Sequence, residues 1–206
     1  MIPLGTLAGS RYAPTGRLVL TSDSFNRANG DIRGDYTDAA LGGTPLPWKV
    51  SSPNRNANFI ISSNQLGLNT NTDVYAYAAV DVGVSSMVVS FRIGSGDGGD
   101  GLVIFASGID ANVNSSLAYE LYISDEWGLS LGHGDEYDSV ASTPTSGDIV
   151  ELVSDYPDVS VRVNGVTVLS ITDTSGRGAA PGTYAGIRDV DASLQSRVDD
   201  FKVEGV

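Results

Sequence analysis

Val159-Ser160-Val161-Arg162-Val163-Asn164-Gly165-Val166-Thr167-Val168-Leu169-Ser170-Ile171 is the stretch that decides the fold. Apolar and polar residues alternate before an Asn-Gly pair and, apart from the adjacent Val168 and Leu169, after it. Alternation at period two gives each flank one buried and one solvated face, and Asn-Gly supplies the two positive-φ residues of a type I′ turn. The stretch therefore predicts a tight antiparallel hairpin. Downstream, Gly182-Thr183-Tyr184-Ala185-Gly186-Ile187 reads as a further strand, and Val198 to Val203 closes the chain as another. Upstream, Met87, Val89, Phe91 and Ile93 share one face against Ser90 and Arg92. Leu117, Tyr119, Leu121 and Ile123 do the same against Glu120 and Tyr122. Leu102-Val103-Ile104-Phe105, bounded by Gly101 and Gly108, is apolar without alternation, which predicts a central strand covered on both faces. Helical periodicity is nearly absent, and no repeat of fixed period suggests a propeller or solenoid.

The chain has 206 residues, enough for one β-sandwich or barrel with a substantial core, and not for a second full domain of similar size. Its formal charge of −13 repels nucleic-acid phosphates and anionic membranes, so neither is expected as a partner. It favours solubility and divalent cations instead. With no Cys there are no disulfides, thiolate nucleophiles or zinc-thiolate sites. No apolar run is long enough for a membrane helix, and Met1 to Ala13, interrupted by Arg11, is too weakly apolar for a signal-peptide core. Residues 1–20 show neither strand nor helix periodicity and are expected to form an extended arm. Either the arm is a ragged terminus or, because Leu4, Leu7 and Tyr12 are costly to expose, it docks onto a partner or onto the domain's own flank.

Two similar segments stand near the ends: Asp23-Ser24-Phe25-Asn26-Arg27, and Arg197-Val198-Asp199-Asp200-Phe201-Lys202-Val203. In each, an Asp precedes a Phe by two residues. On a regular strand Asp23 would share a face with Phe25, and Asp199 with Phe201. If the Phe faces inward, so does the Asp, and a buried carboxylate needs a partner.

These end segments, the Pro47-Trp48-Lys49-Val50 strand with Asn64-Gln65-Leu66 after it, and the Asn164-Gly165 hairpin together resemble the concanavalin A-like or laminin-G-like jelly-roll sandwich. The resemblance implies an all-β, two-sheet antiparallel jelly roll over residues 21–206, preceded by the extended arm. The opening Met1-Ile2-Pro3-Leu4-Gly5-Thr6-Leu7-Ala8-Gly9-Ser10-Arg11 is similar to that of minor tail proteins from tailed phages of actinobacteria. That similarity implies a non-enzymatic structural and adhesive virion component, assembled in the host cytoplasm. Its arm would attach to other virion proteins and its sandwich would face cell-surface glycans, a homo-oligomer being compatible with this. A free carbohydrate-binding module, a polysaccharide hydrolase and a capsid decoration protein are the alternatives.

If the terminal strands of a jelly roll pair, Asp23 and Asp199 approach one another, and two like charges at low dielectric call for a cation or a proton. Structural calcium bound by Asp23 and Asp199, completed by oxygens of Asn29 or Asp31, meets that need. The competing expectation is an ion pair with Arg27 or Arg197. For glycan binding the candidates are Trp127 as a platform for a sugar ring, with Asp125 and Glu126 to hydrogen-bond hydroxyls; otherwise Trp127 folds over the sandwich edge. Tyr75, Tyr77 and Tyr122 line an outward sheet face or merely decorate it, and Trp48 belongs to the core. The glucanase members of the resembling family place several acids on one strand. Here Glu120 is alone on its strand, so no catalytic pair is nominated. His133, the sole histidine, reads as a turn residue, and the Gly94 to Gly101 loop as a connector.

Overall fold

The structure is a computed structural model that describes residues 16–51, 58–69, 76–94, 102–108, 118–124, 128–133, 136–141, 143–174, 182–189 and 197–206. These contain sixteen strands and no helix. In order they are β1 (Val19–Asp23), β2 (Gly30–Asp31), β3 (Lys49–Ser51), β4 (Asn58–Ser62), β5 (Gln65–Asn69), β6 (Ala76–Asp81), β7 (Met87–Ile93) and β8 (Leu102–Gly108). There follow β9 (Tyr119–Ser124), β10 (Gly128–His133), β11 (Glu136–Val140), β12 (Ile149–Asp155), β13 (Asp158–Val163), β14 (Val166–Thr172), β15 (Tyr184–Asp189) and β16 (Val198–Gly205). They form two antiparallel sheets of a jelly-roll sandwich. One has nine strands in the order β14-β13-β12-β7-β16-β5-β4-β2, with β1 also on β16, and the other has seven in the order β11-β10-β9-β8-β15-β6-β3.

Period-two alternation builds the core between the sheets. Met87, Val89, Phe91 and Ile93 of β7 and Val150 and Leu152 of β12 face Ile104 and Ala106 of β8, Leu121 and Ile123 of β9, and Ile187 of β15. β8 is the strand covered on both faces that its apolar run predicts: Val103, Ile104, Phe105 and Ala106 are all buried. The β13-β14 hairpin turns at Asn164 and Gly165, whose φ angles are 51° and 81°. Asn164 also fixes the turn to the start of β12, donating from Nδ2 to Asp148 at 2.8 Å and accepting from the Ile149 amide at 3.0 Å. Replacing Asn164 with Ala removes both bonds and places a less tolerant residue at positive φ. The expected loss is roughly 1–2 kcal/mol in urea denaturation; an unchanged midpoint would show that the turn does not depend on Asn164.

The chain ends meet. β1 lies antiparallel on β16, with Asp23 opposite Phe201 and Thr21 opposite Val203, so Asp23 faces inward. The expectation for Asp199 fails. The β16 register against β7 slips between Asp199 and Lys202, where Asp200 adopts a φ of 49°. This bulge inserts a residue and inverts the parity: Val198 and Phe201, three apart, both enter the core, while Asp199 pairs with outward-facing Arg92. The expected arm, residues 1–20, overlaps β1 at Val19 and Leu20, and residues 1–15 lie outside the described residues.

Candidate functional site

Asp23 is wholly buried and accepts four hydrogen bonds. Arg27 Nη1 reaches Oδ1 at 2.6 Å and Nη2 reaches Oδ2 at 3.0 Å; Trp48 Nε1 donates to Oδ2 at 2.7 Å and the Phe25 amide to Oδ1 at 2.9 Å. The guanidinium stands where a metal ion would have to bind, in the bidentate geometry that suits a carboxylate. Asn29 accepts from the Ser63 amide and Asp31 from the Arg33 amide. Asp199 stands opposite Arg92 on β16, where burial pushes its carboxyl up, opposed by the hydrogen bond from the Asp200 amide and the Arg92 charge, while the charges of Asp200 and Asp23 add to the rise. These residues do not fit a shared calcium ion, and the ion pair with Arg27 takes its place. Among the described residues no group of three or more His, Asp or Glu side chains is arranged to hold a metal.

A different cluster forms on the outer face of the seven-stranded sheet, from two adjacent cross-strand rows. In the first, Gly132 of β10, Glu120 of β9, Phe105 of β8, Gly186 of β15, Ala79 of β6 and Lys49 of β3 stand in register. In the second, Ser130, Tyr122, Val103, Arg188 and Tyr77 do. Ala79, Phe105 and Ala118 make a small apolar floor, separate from the main core, with Tyr77 and Tyr184 packed against it. Tyr77, Tyr122 and Tyr184 are half-buried. Arg188 Nη2 donates to Glu120 Oε2 at 3.0 Å, and its guanidinium lies 5.9 Å from the Tyr77 ring centroid. Lys49 sits 4.6 Å over the Tyr184 ring and donates to its hydroxyl. Gly186 is required in the floor, because a Cβ there would meet the Ala78 carbonyl oxygen at 2.0 Å.

Glu120 is the most unusual group of this face. Its side chain is 4% exposed, and Oε1 is buried without a hydrogen-bond partner. Burial raises its pKa, and the Arg188 charge opposes the rise.

The sequence placed Tyr77 and Tyr122 on an outward face, where the structure has them, and Trp48 in the core, where it is 2% exposed. Asp125, Glu126 and Trp127 lie outside the described residues, between the paired strand ends Ser124 and Gly128, as do Tyr75 and residues 95–101. His133 ends β10 opposite Glu136 rather than standing in a turn. Sequence reading missed Arg188 and Lys49. Each is an ordinary charge on its own strand, and only the β15-β8-β9 and β3-β6 pairings bring them to Glu120 and the aromatic floor. The alternation Tyr184, Gly186, Arg188 was the available sign that Arg188 shares a face with Tyr184.

No protein-family model matches the chain, and no curated protein matches it. Solved structures do. A protein of unknown function with a galectin-like fold from Bacillus subtilis aligns with a TM-score of 0.53 at 13% identity, covering 91% of this chain and 96% of that one. The exoplasmic/lumenal domain of VIP36, in its Ca2+/Man-bound form, aligns with a TM-score of 0.50 at 13% identity over 83% and 87%. A laminarinase from Flavobacterium sp. UMI-01 aligns with a TM-score of 0.52 at 10% identity over 90% and 99%. At these identities what is shared is the fold, a galectin-like or concanavalin A-like jelly roll.

Proposed function

We propose that this domain is a non-enzymatic carbohydrate-binding module and that glycans bind on the outer face of its seven-stranded sheet. The observation that carries this is the set of half-buried Tyr77, Tyr122 and Tyr184 rings grouped with the Arg188–Glu120 pair on one face. Amphipathic rings offer an apolar surface to the C–H faces of a sugar, and charged groups between them hydrogen-bond its hydroxyls. The mannose-bound relative of the fold is in keeping with this role. Asp125, Glu126 and Trp127 are kept as further glycan-contact candidates on the sequence alone.

A glycan array probed with the purified chain tests the proposal. Tyr122→Ala is expected to weaken any bound glycan roughly tenfold, the equivalent of about 1.4 kcal/mol for one ring contact. Equal binding by Tyr77→Ala, Tyr122→Ala and the parent chain would remove the site from this face.

We further propose a place on a virion surface, with the N-terminal segment as attachment. This is supported by the phage-like opening sequence and by the apolar character where that segment joins the sandwich. Gly16, Arg17 and Leu18 line an open cleft of about 840 Å³ with Val84, Gly205 and Val206, and Leu18 is 74% exposed. Immunogold labelling of particles would show the protein on the tail, on the head, or on neither; the last outcome retires the placement.

A further inference from the structure

Glu120 gives one carboxylate oxygen to Arg188 and leaves the other, Oε1, buried with no partner. Buried polar atoms in folded proteins are overwhelmingly hydrogen-bonded, so an orphan beside a candidate binding face points to a ligand group that completes it. Gly132, directly across from Glu120 on β10, brings no side chain and hence no donor, and Phe105 on the other side offers none either. Resting on the glycan-binding reading above, we propose that Glu120 Oε1 accepts a hydrogen bond from a hydroxyl of a neutral sugar, so that this face selects neutral glycans over acidic ones.

The charges of the face support neutral selection. An ionised carboxylate only accepts hydrogen bonds, so it matches a hydroxyl donor and repels a uronate or phosphate. Of the cations that would attract an acidic sugar, Arg188 gives Nη2 to Glu120 and lies 5.9 Å from the Tyr77 ring centroid, its Nε being a buried donor with no hydrogen bond, and Lys49 donates to Tyr184. The chain as a whole carries a formal charge of −13, which adds a long-range penalty for anionic ligands.

The same geometry predicts an acid-sensitive site. Among the described residues, the groups facing Glu120 are Arg188 on β15, which is charged, and the neutral Phe105 on β8 and Gly132 on β10. Burial, opposed by Arg188, moves the carboxyl above the ordinary glutamate range. As pH falls through that raised range, the proton goes to Oε1, because Oε2 faces the guanidinium, and the acceptor becomes a donor. Binding of a hydroxyl donor is therefore full above the range and weakens below it.

The test is calorimetric titration of the full chain with neutral hexasaccharides of glucose, mannose and galactose and with hexagalacturonate, at neutral and mildly acidic pH. The proposal expects a neutral sugar to bind and Glu120→Gln to weaken it by about tenfold or more, as loss of a hydrogen bond to a charged group does. It also expects the acid-side loss of binding to be absent in Glu120→Gln. Unchanged affinity in that variant, or tighter binding of hexagalacturonate than of every neutral sugar, overturns the assignment and leaves glycan binding itself intact. Binding of no sugar at all overturns both. Should Glu120→Gln fail to fold, the pH profile of the unaltered chain decides: a flat profile overturns the proposal.

Discussion

Asp23→Ala is expected to lower the unfolding free energy by about 3–5 kcal/mol, the range for breaking a buried ion pair by removing one partner. The Arg27 guanidinium is 25% exposed and recovers some hydration once released, which offsets part of the loss. Trp48 Nε1 and the Phe25 amide have no such outlet and remain as unsatisfied donors, each costing on the order of 1–3 kcal/mol. For a chain of this size the loss corresponds to a fall of roughly 10 °C in melting temperature. Asp23→Asn sharpens the test, because an amide nitrogen must then face donors from Arg27 or Trp48, and most of the loss should persist although the shape is kept. A double-mutant cycle with Arg27→Ala isolates the pair. Both single variants should lose stability equally in calcium and in chelator. An Asp23→Ala loss below about 1 kcal/mol would mean the carboxylate is not the hub of the seam, and a calcium-dependent loss would restore the metal that the geometry replaces with Arg27.

How far the sequence reaches depends on whether a residue's role is set locally. The Asn164-Gly165 turn is local chemistry, whereas the pairing beyond it is not set by alternation alone: the register shifts between Val161 and Arg162, which leaves Val166 exposed and Leu169 buried. β8 is legible for a related reason: five consecutive apolar residues, Leu102 to Ala106, within six bounded by Gly101 and Gly108 leave few other solutions. Asp23 does face inward, from its register opposite Phe201, although the strand parity with Phe25 is not what places it: β1 ends at Asp23 and Phe25 adopts a φ of 52°. At Asp199 parity fails, since nothing in Val198-Asp199-Asp200-Phe201 announces that Asp200 takes a left-handed conformation; Asp tolerates it better than most residues without requiring it. The outer-face cluster was partly legible. Tyr77 and Tyr122 declare an outward aromatic face through alternation, whereas the meeting of Arg188 with Glu120 depends on β8 lying between their two strands. That is a matter of strand order, which periodicity does not encode.

Phe201→Ala carries the other large expected loss, about 3–5 kcal/mol, because its ring does more than fill volume. Phe201 is fully buried with centroids of Trp48 and Phe91 each 4.9 Å away, and Trp48 continues to Phe25 at 6.1 Å. Phe91 and Phe201 belong to the nine-stranded sheet, while Trp48 immediately precedes β3 of the seven-stranded one. The stack therefore ties the two sheets together at the point where the chain ends meet. It also holds the Trp48 indole so that Nε1 points at Asp23. Loss of Phe201 frees that indole, and the cost of the cavity adds to that of a loosened hydrogen bond. Phe201→Leu restores most of the volume without the ring contacts and should lose no more than about 1.5 kcal/mol. Combining Phe201→Ala with Asp23→Ala should destabilise less than the sum of the two, because each already loosens Trp48. Strict additivity in urea denaturation would show that the aromatic stack and the buried carboxylate are independent, and that the bulge at Asp200 places Phe201 for packing alone.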